Sequence, residues 1–82
     1  MFFVYLLQDS FGKLYIGFSN NVIRRFKEHL NGKVYTTKRM DGLTLIYYEA
    51  YDNEDMAKQR EKKLKQFGSS YQGLIKRLGI RN

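Results

Sequence analysis

A pair of strands joined by a turn is encoded by FFVYLLQDSFGKLYIGF, residues 2–18. Residues 2–7 are a continuous apolar run rich in aromatic and β-branched side chains, which is typical of a strand buried on both faces. Gly12 marks the turn and residues 14–18 form the second strand, so the pattern predicts an antiparallel hairpin. Gly17 stands inside that second strand, where glycine usually marks a bulge or a close approach of backbone.

A helix is predicted directly after the hairpin. Asn21 and the two polar residues before it supply N-cap side chains and Gly32 stops the helix, which therefore spans about residues 21–31. Its apolar residues recur at helical spacing and are Val22, Ile23, Phe26 and Leu30. Residues 33–42 form a polar, basic loop.

The second half of the chain is predicted to add one strand and two helices. Residues 43–51 form the strand, residues 52–53 cap a helix that ends at Gly68, and the serines at 69–70 cap a last short helix. The expected buried positions of the two helices are Ala57, Leu64, Phe67, Tyr71, Leu74, Ile75 and Leu78. The order β-β-α-β-α-α predicts an α+β fold, a small three-stranded antiparallel sheet flanked by helices.

Composition bounds the class of protein. With 82 residues, 43% of them apolar, the chain is expected to form one domain, residues 1–82. It contains no Cys and one His, which excludes a disulfide scaffold, a thiol nucleophile and a site built from several histidines. No apolar run approaches the roughly 18 residues of a membrane span, and no signal peptide is recognised. We therefore expect a cytoplasmic protein with no membrane partner.

Charge is concentrated in the C-terminal third. The chain carries fifteen Lys and Arg against eight Asp and Glu, a net charge of +7. Residues 58–82 hold eight of the basic residues and one acid, Glu61, whereas the earlier part is neutral overall. Such a basic surface is typical of a protein that binds a polyanion, most commonly nucleic acid. A basic surface with no ligand is the plainer alternative.

Two residues on the first helix have the chemistry of a phosphate site. On a helical wheel, Arg25 and His29 lie one turn apart at the border of the apolar face, whereas Arg24 and Glu28 form an ion pair on the solvent side. Arg donors suit phosphate oxygens, and His moves protons near neutral pH. The alternative is structural: Arg25 covers the edge of the core and His29 is half-buried.

Glu61 is the candidate metal ligand on the second helix. It lies at the edge of the packing face, and Mg²⁺ is often held by one or two carboxylates together with phosphate and water. Alternatively, Glu61 only pairs with Lys65 one turn later. Arg60 falls inside the apolar face and is expected to be a snorkelling or ion-paired structural residue.

Together, these residues resemble the GIY-YIG nuclease superfamily over nearly the whole chain. The second half of the name motif stands as Tyr-Ile-Gly at residues 15–17, and the first half is the partial Phe-Val-Tyr at residues 3–5. Arg25 and His29 stand ten and fourteen residues after the motif tyrosine, and Glu61 lies in a Glu-x-x-Leu helix. The chain looks most like the small stand-alone members that are similar to the N-terminal nuclease domain of the repair excinuclease.

The resemblance implies an endonuclease that hydrolyses phosphodiester bonds in DNA with one Mg²⁺ or Mn²⁺ ion. Tyr5 would act as or assist the general base, Tyr15 would position the water or a phosphate oxygen, and Arg25 would stabilise the developing charge. His29 would hydrogen-bond a tyrosine or the phosphate, and Glu61 would hold the metal. Gly17 would let backbone approach the site.

The basic residues expected to contact DNA are Lys33, Lys38, Arg39, Lys58, Lys62 and Lys65. The protein is expected to select DNA by its structure, as in repair or recombination, rather than by its sequence. The chain is expected to be a monomer or weak dimer, and a protein partner that supplies specificity stays an open alternative. Two other functions remain: a non-catalytic nucleic-acid-binding module that keeps the fold, and a bare scaffold. RNA as the substrate is not excluded.

Overall fold

Three strands and three helices make up residues 1–80, the part of the chain that the computed structural model describes. In chain order they are β1 (Phe2–Gln8), β2 (Leu14–Ser19), α1 (Val22–Leu30), β3 (Thr44–Tyr51), α2 (Glu54–Lys65) and α3 (Ser69–Leu78). The strands form one antiparallel sheet in the order β2-β1-β3. The predicted order of elements and the three-stranded sheet are confirmed, and β2 and β3 are both edge strands.

The central strand β1 is buried on both faces, as predicted. Val4, Tyr5, Leu6 and Leu7 are each at most 1% exposed. Because side chains alternate along a strand, Val4 and Leu6 point to one face and Tyr5 and Leu7 to the other. The register against β3 shifts between Leu6 and Leu7, whereas β1 and β2 pair regularly.

The two C-terminal helices cover one face of the sheet, and this layer holds the larger core. Its buried members are Val4, Leu6, Ile16, Ala57, Leu64, Tyr71, Leu74 and Ile75. The predicted apolar spacing of α3 is therefore confirmed. Phe67 is an exception, since 59% of it is exposed rather than buried beside Leu64.

The junction between α2 and α3 differs from the prediction. The helix α2 ends at Lys65, and Phe67 rather than Gly68 takes the left-handed backbone conformation, with φ of 56°. Gly68 is itself the N-cap of α3, and no side chain caps that helix, so the serines at 69–70 do not cap it. Asn21 and Asn53 do cap α1 and α2 as predicted.

The helix α1 lies on the other face of the sheet but is rotated relative to the expected orientation. Ile23 and Leu30 are 61% and 55% exposed, whereas Val22 and His29 are buried. The buried face is thus centred on Val22 and His29, and His29 lies in its middle rather than at its border. Two buried hydrogen bonds compensate the imidazole for its lost hydration, which allows a histidine to replace an aliphatic residue there.

The basic loop after α1 contains one short 3₁₀ turn, Tyr35–Thr37. Thr37 is buried and Tyr35 is 90% exposed. Within residues 1–80, none of the helices is long and apolar enough to cross a membrane.

A polar cluster joins the edge strand β3 to α2. The Glu49 carboxylate accepts bonds from the Arg60 Nε and Nη2 atoms, both at 2.9 Å, and from the hydroxyls of Tyr47 and Tyr51. Burial raises the pKa of Glu49, but the Arg60 guanidinium and the two hydroxyls outweigh it and hold that pKa below its usual range. Arg60 is therefore an ion-paired structural residue, one of its two expected roles.

Replacing Arg60 with Ala is expected to lower the free energy of unfolding by about 2 kcal/mol, because Glu49 keeps its half-buried charge without the bidentate partner. This loss of unfolding free energy should have its full size above pH 4.5, the ordinary carboxyl pKa. It should become smaller as the pH falls through the lowered pKa of Glu49. Urea denaturation at several pH values measures it. The control Lys58→Ala removes the exposed pair with Glu54 and a cation–π contact with the Phe18 ring, and it should cost less, about 0.5–1 kcal/mol.

Candidate active site

A chain of hydrogen bonds runs through the layer between β1 and α1. The Tyr5 hydroxyl lies 2.7 Å from His29 Nε2, and His29 Nδ1 lies 2.7 Å from Thr37 Oγ1. Thr37 Oγ1 in turn faces the carbonyl oxygen of Val34 at 3.4 Å. Tyr5, His29 and Thr37 are each at most 2% exposed. Three distant parts of the chain thus meet in one buried polar row.

The direction of these bonds follows from the acceptor at the end of the row. We assign the Thr37 hydroxyl as the donor to the Val34 carbonyl oxygen, which only accepts, and the Thr37 oxygen then accepts from Nδ1–H of His29. The Nε2 atom then carries a lone pair and accepts the Tyr5 hydroxyl proton. His29 is therefore held as the tautomer that can take a proton from Tyr5.

Burial changes the proton affinity of both partners. It raises the pKa of Tyr5 to about 12, with a further rise from Tyr15 and an opposing effect from Arg25. Burial and the charge of Arg25 lower the pKa of His29 below its ordinary value of 6.5. At neutral pH, Tyr5 is thus a protonated donor and His29 a neutral acceptor.

Arg25 places a positive charge beside this row. The charge of its guanidinium lowers the pKa of both Tyr5 and His29. Its Nη1 atom donates a hydrogen bond to Glu28 Oε1 at 3.0 Å. The solvent-side pair predicted between Arg24 and Glu28 is a looser contact of 4.0 Å, so the main partner of Glu28 is Arg25. The Glu28 carboxylate holds the guanidinium at the edge of the site.

Tyr15 and Gly17 complete the site from β2. The Tyr15 ring lies 5.1 Å from the His29 ring and 6.4 Å from the Tyr5 ring, measured between centroids. Gly17 pairs with Tyr5 across the strands, and a Cβ atom there would overlap the Tyr5 ring. The glycine therefore gives room to a side chain of the protein itself, rather than marking a bulge.

Glu61 approaches from the opposite layer. Its charge makes a small contribution to the raised pKa of Tyr5, after burial and the charge of Tyr15. It also pairs with Lys65 at 3.0 Å, with 22% of the Glu61 side chain exposed. The expected ion pair with Lys65 is therefore present, and the metal-binding role of Glu61 stays a prediction. Within residues 1–80, no three His, Cys, Asp or Glu side chains converge as a metal cluster.

The six basic residues expected to contact DNA are all exposed, and they fall into two groups. One group lies on α2 and comprises Lys58, Lys62 and Lys65. The other follows α1 and comprises Lys33, Lys38 and Arg39. Lys38 and Arg39 line a cavity of about 460 Å³ with Lys13 and the exposed Tyr35. The charge of Lys33 instead helps to lower the pKa of Glu28.

Thr37 is the residue that the sequence pattern missed. It lies in a loop with no periodicity, and the available signal was indirect, since a buried histidine needs a partner for each ring nitrogen. Replacing Thr37 with Val is expected to lower the free energy of unfolding by about 1–3 kcal/mol, because Nδ1–H loses its acceptor. Nitrogen chemical shifts of the imidazole should move toward the Nε2–H tautomer, and Thr37→Ser should restore them. Unchanged shifts in Thr37→Val would contradict the assigned tautomer.

Comparison with known proteins places this arrangement in a family. The model of the GIY-YIG catalytic domain matches residues 1–73. A UPF0213 protein of Clostridium perfringens is 38% identical over 63 residues, 74% of this chain and 67% of that protein. Another, of Vibrio campbellii, is 34% identical over 73 residues, 88% of this chain and 70% of that protein.

The fold is also similar to a solved structure. The solution NMR structure of a UPF0213 protein from Bacillus halodurans matches 98% of this chain and 87% of its own, with a TM-score of 0.59 and 26% identity. The match to the family model, residues 1–73, covers all the residues that form the site. The chain therefore belongs to the GIY-YIG superfamily of nucleases and is similar to its small UPF0213 proteins.

Proposed function

We propose that the protein is a divalent-metal-dependent endonuclease that hydrolyses phosphodiester bonds in DNA. The observation that carries the proposal is the buried row of Tyr5, His29 and Thr37 beside the Arg25 guanidinium. It combines a proton acceptor, a hydroxyl that reaches it and a cation suited to phosphate. The family and the net charge of +7 support the same reaction class.

Tyr5 acts in this scheme as a proton relay. A phenol whose pKa is about 12 is protonated at neutral pH and is a poor base on its own. It takes a proton from the attacking water while its own proton passes to Nε2 of His29, 2.7 Å away. No isolated phenolate has to form, and Thr37 stabilises the imidazolium because it accepts a bond from Nδ1–H.

Arg25 stabilises the charge that grows on the phosphoryl oxygens when water attacks phosphorus and the 3′ oxygen leaves. Preorganised donors of this kind are worth about 3–4 kcal/mol in the transition state. Glu28 holds the guanidinium in place through its 3.0 Å bond. Tyr15, packed against the His29 ring, positions the water or a phosphate oxygen.

Glu61 fits a single Mg²⁺ or Mn²⁺ ion. It supplies one carboxylate, and Mg²⁺ commonly binds one or two carboxylates and takes its other ligands from water and substrate phosphates. A bound ion supplies a Lewis acid that polarises the phosphoryl group and stabilises the leaving oxygen. Lys65 must release Glu61 for the ion to bind, so metal affinity is expected to rise in Lys65→Ala.

DNA contacts are assigned to Lys33, Lys38, Arg39, Lys58, Lys62 and Lys65. These exposed cations contact phosphates and carry no sequence information, so we propose selectivity for DNA structure, as in repair or recombination. Cleavage sites mapped on a plasmid should then be dispersed. Cuts confined to one short recognition sequence would contradict structural selectivity.

The pH dependence of cleavage should report His29. Because neutral His29 accepts the proton, kcat/KM is expected to fall about tenfold per pH unit below the His29 pKa, which lies under 6.5. Initial rates at constant ionic strength and saturating Mg²⁺ measure the profile. An acidic limb centred above pH 7 would contradict this role of His29.

The proposal is tested by cleavage of supercoiled plasmid and of a branched oligonucleotide with Mg²⁺ or Mn²⁺. Wild type should nick both, and Glu61→Gln, Arg25→Ala and EDTA should each abolish nicking. Asp55→Asn is the matched control, since it removes an exposed carboxylate from the same helix and should cleave like wild type. If wild type, both variants and the EDTA sample all leave DNA intact while binding persists, the protein is a non-catalytic binding module. The ion pair between Glu61 and Lys65 favours this second function, because it occupies the carboxylate that would hold the metal.

A further inference from the structure

A second cavity adjoins the candidate site and has no part in the proposed hydrolysis. It measures about 320 Å³ and is lined by Leu14, Tyr15, Ile16, Lys65 and Phe67. Tyr15 is shared with the site, and Lys65 is the ion-pair partner of Glu61. The walls are mostly apolar, and the charged rim is positive. A molecule held in the site thus has an apolar recess directly beside it.

Phe67 is the unusual wall of this cavity. Its φ of 56° is a conformation that bulky residues rarely adopt, and helix ends of this shape usually carry glycine. Gly68 follows directly, yet its φ is −91°, so the strain stays on the phenylalanine. The Phe67 ring packs edge-on against the core residue Tyr71, with ring centroids 4.9 Å apart, but 59% of Phe67 stays exposed, so most of the ring is open to a ligand. Strain kept at an exposed aromatic residue is typical of a functional position.

We propose that this cavity receives an unpaired nucleobase of the bound DNA strand, stacked on the Phe67 ring. A flat apolar ring fits a wall of this kind, whereas a sugar-phosphate backbone does not. Lys65 at the rim, with Lys62 and Lys63 in the same last turn of α2, neutralises the adjoining phosphates. Their charge favours a nucleic-acid strand over the apolar side chain of a protein partner as the occupant.

The base must be unpaired to enter. In a duplex both faces of each base are stacked and its edge is paired, so only a single strand, a flap or a branch offers a free base. The inference rests on the proposed function to place DNA at the site, and it narrows the substrate class to DNA with unpaired bases next to the scissile bond.

The test measures binding in EDTA, so that no strand is cut. The probes are a fluorescein-labelled single strand and the same sequence as a duplex, followed by anisotropy. Phe67→Asn removes the ring and its contact with Tyr71, but asparagine tolerates a positive φ, so thermal denaturation should show a folded variant that melts close to wild type. It should bind the single strand about 5- to 100-fold more weakly and the duplex within twofold of wild type.

Two controls accompany this variant. Phe11→Asn removes a phenylalanine that is 87% exposed on the β1–β2 turn, outside the cavity lining, and should leave both affinities unchanged. Phe67→Tyr keeps an aromatic ring and should retain the wild-type affinity. Emission from a 2-aminopurine base in the single strand should change on binding wild type but not Phe67→Asn.

Equal weakening of single strand and duplex, no weakening of either, or the same loss in Phe11→Asn would each overturn the inference. So would a wild type that does not bind the single strand at all, which would leave a protein partner as the occupant. If Phe67 governs single-strand binding but no strand is cut with Mg²⁺ or Mn²⁺, the proposed function fails and the base site stands. If the DNA is cut but substitution of Phe67 does not change single-strand binding, the proposed function stands and the base site fails.

Discussion

Tyr5→Phe is expected to slow DNA cleavage by about 100- to 10,000-fold while leaving the fold intact. The substitution removes only the hydroxyl that lies 2.7 Å from His29 Nε2, so water loses its path to the proton acceptor. The ring stays in its buried place over Gly17. Single-turnover cleavage at saturating enzyme and Mg²⁺ measures the chemical step without the contribution of binding.

Tyr48→Phe is the matched control, because it removes a tyrosine hydroxyl from β3 at a position that is 54% exposed. It should cleave like wild type. Tyr5→Phe should bind DNA within about twofold of wild type, since it leaves unchanged the exposed basic residues that are proposed to contact the phosphates. A Tyr5→Phe variant with wild-type rates would remove Tyr5 from the reaction and leave His29 to act on water directly.

Gly17→Ala is expected to lower the free energy of unfolding by about 3 kcal/mol, the largest effect on stability in the sheet. A Cβ atom at this position would overlap the ring of Tyr5, which is 1% exposed and held by His29. Either the ring moves and the hydrogen bond breaks, or β2 separates from β1. Chemical denaturation measures the loss.

The cause is isolated by a double-mutant cycle. Tyr5→Leu removes the ring, so adding Gly17→Ala to that variant should cost much less than it costs in wild type. Gly73→Ala is the control, because a Cβ atom on this exposed α3 glycine meets nothing within 4 Å, and it should raise stability by about 0.5–1 kcal/mol. Additive losses from Gly17→Ala and Tyr5→Leu would contradict the overlap.

Local patterns predicted the sheet and the order of elements because each strand and cap follows from its neighbours in the chain. The apolar run of β1 and the caps Asn21 and Asn53 are examples. The wheel of α1 failed because periodicity treats His29 as polar, whereas Tyr5 and Thr37 satisfy both of its nitrogens. That compensation comes from residues 24 and 8 positions away.

In the candidate site, too, local patterns could not predict contacts between side chains. Arg25, His29 and Gly17 could be singled out by spacing and residue type, but their partners could not. Thr37 lies in a loop without a pattern, and Glu28 was assigned to Arg24 because helix spacing permits both i,i+3 and i,i+4 pairs. Phe67 was expected in the core since an aromatic residue near Leu64 at helical spacing normally packs there, and a left-handed backbone after Lys65 cannot be read from spacing.

Metal-dependent hydrolysis at Tyr5, His29 and Glu61 is tested most directly by single-turnover cleavage of a branched DNA in isotopically labelled water with Mg²⁺, followed by mass spectrometry of the products. Wild type should give 5′-phosphate ends carrying one labelled oxygen and 3′-hydroxyl ends, and Glu61→Gln should give none. A covalent adduct between Tyr5 and DNA, 3′-phosphate ends, or bound but uncut DNA in both Mg²⁺ and Mn²⁺ would contradict hydrolysis by an activated water.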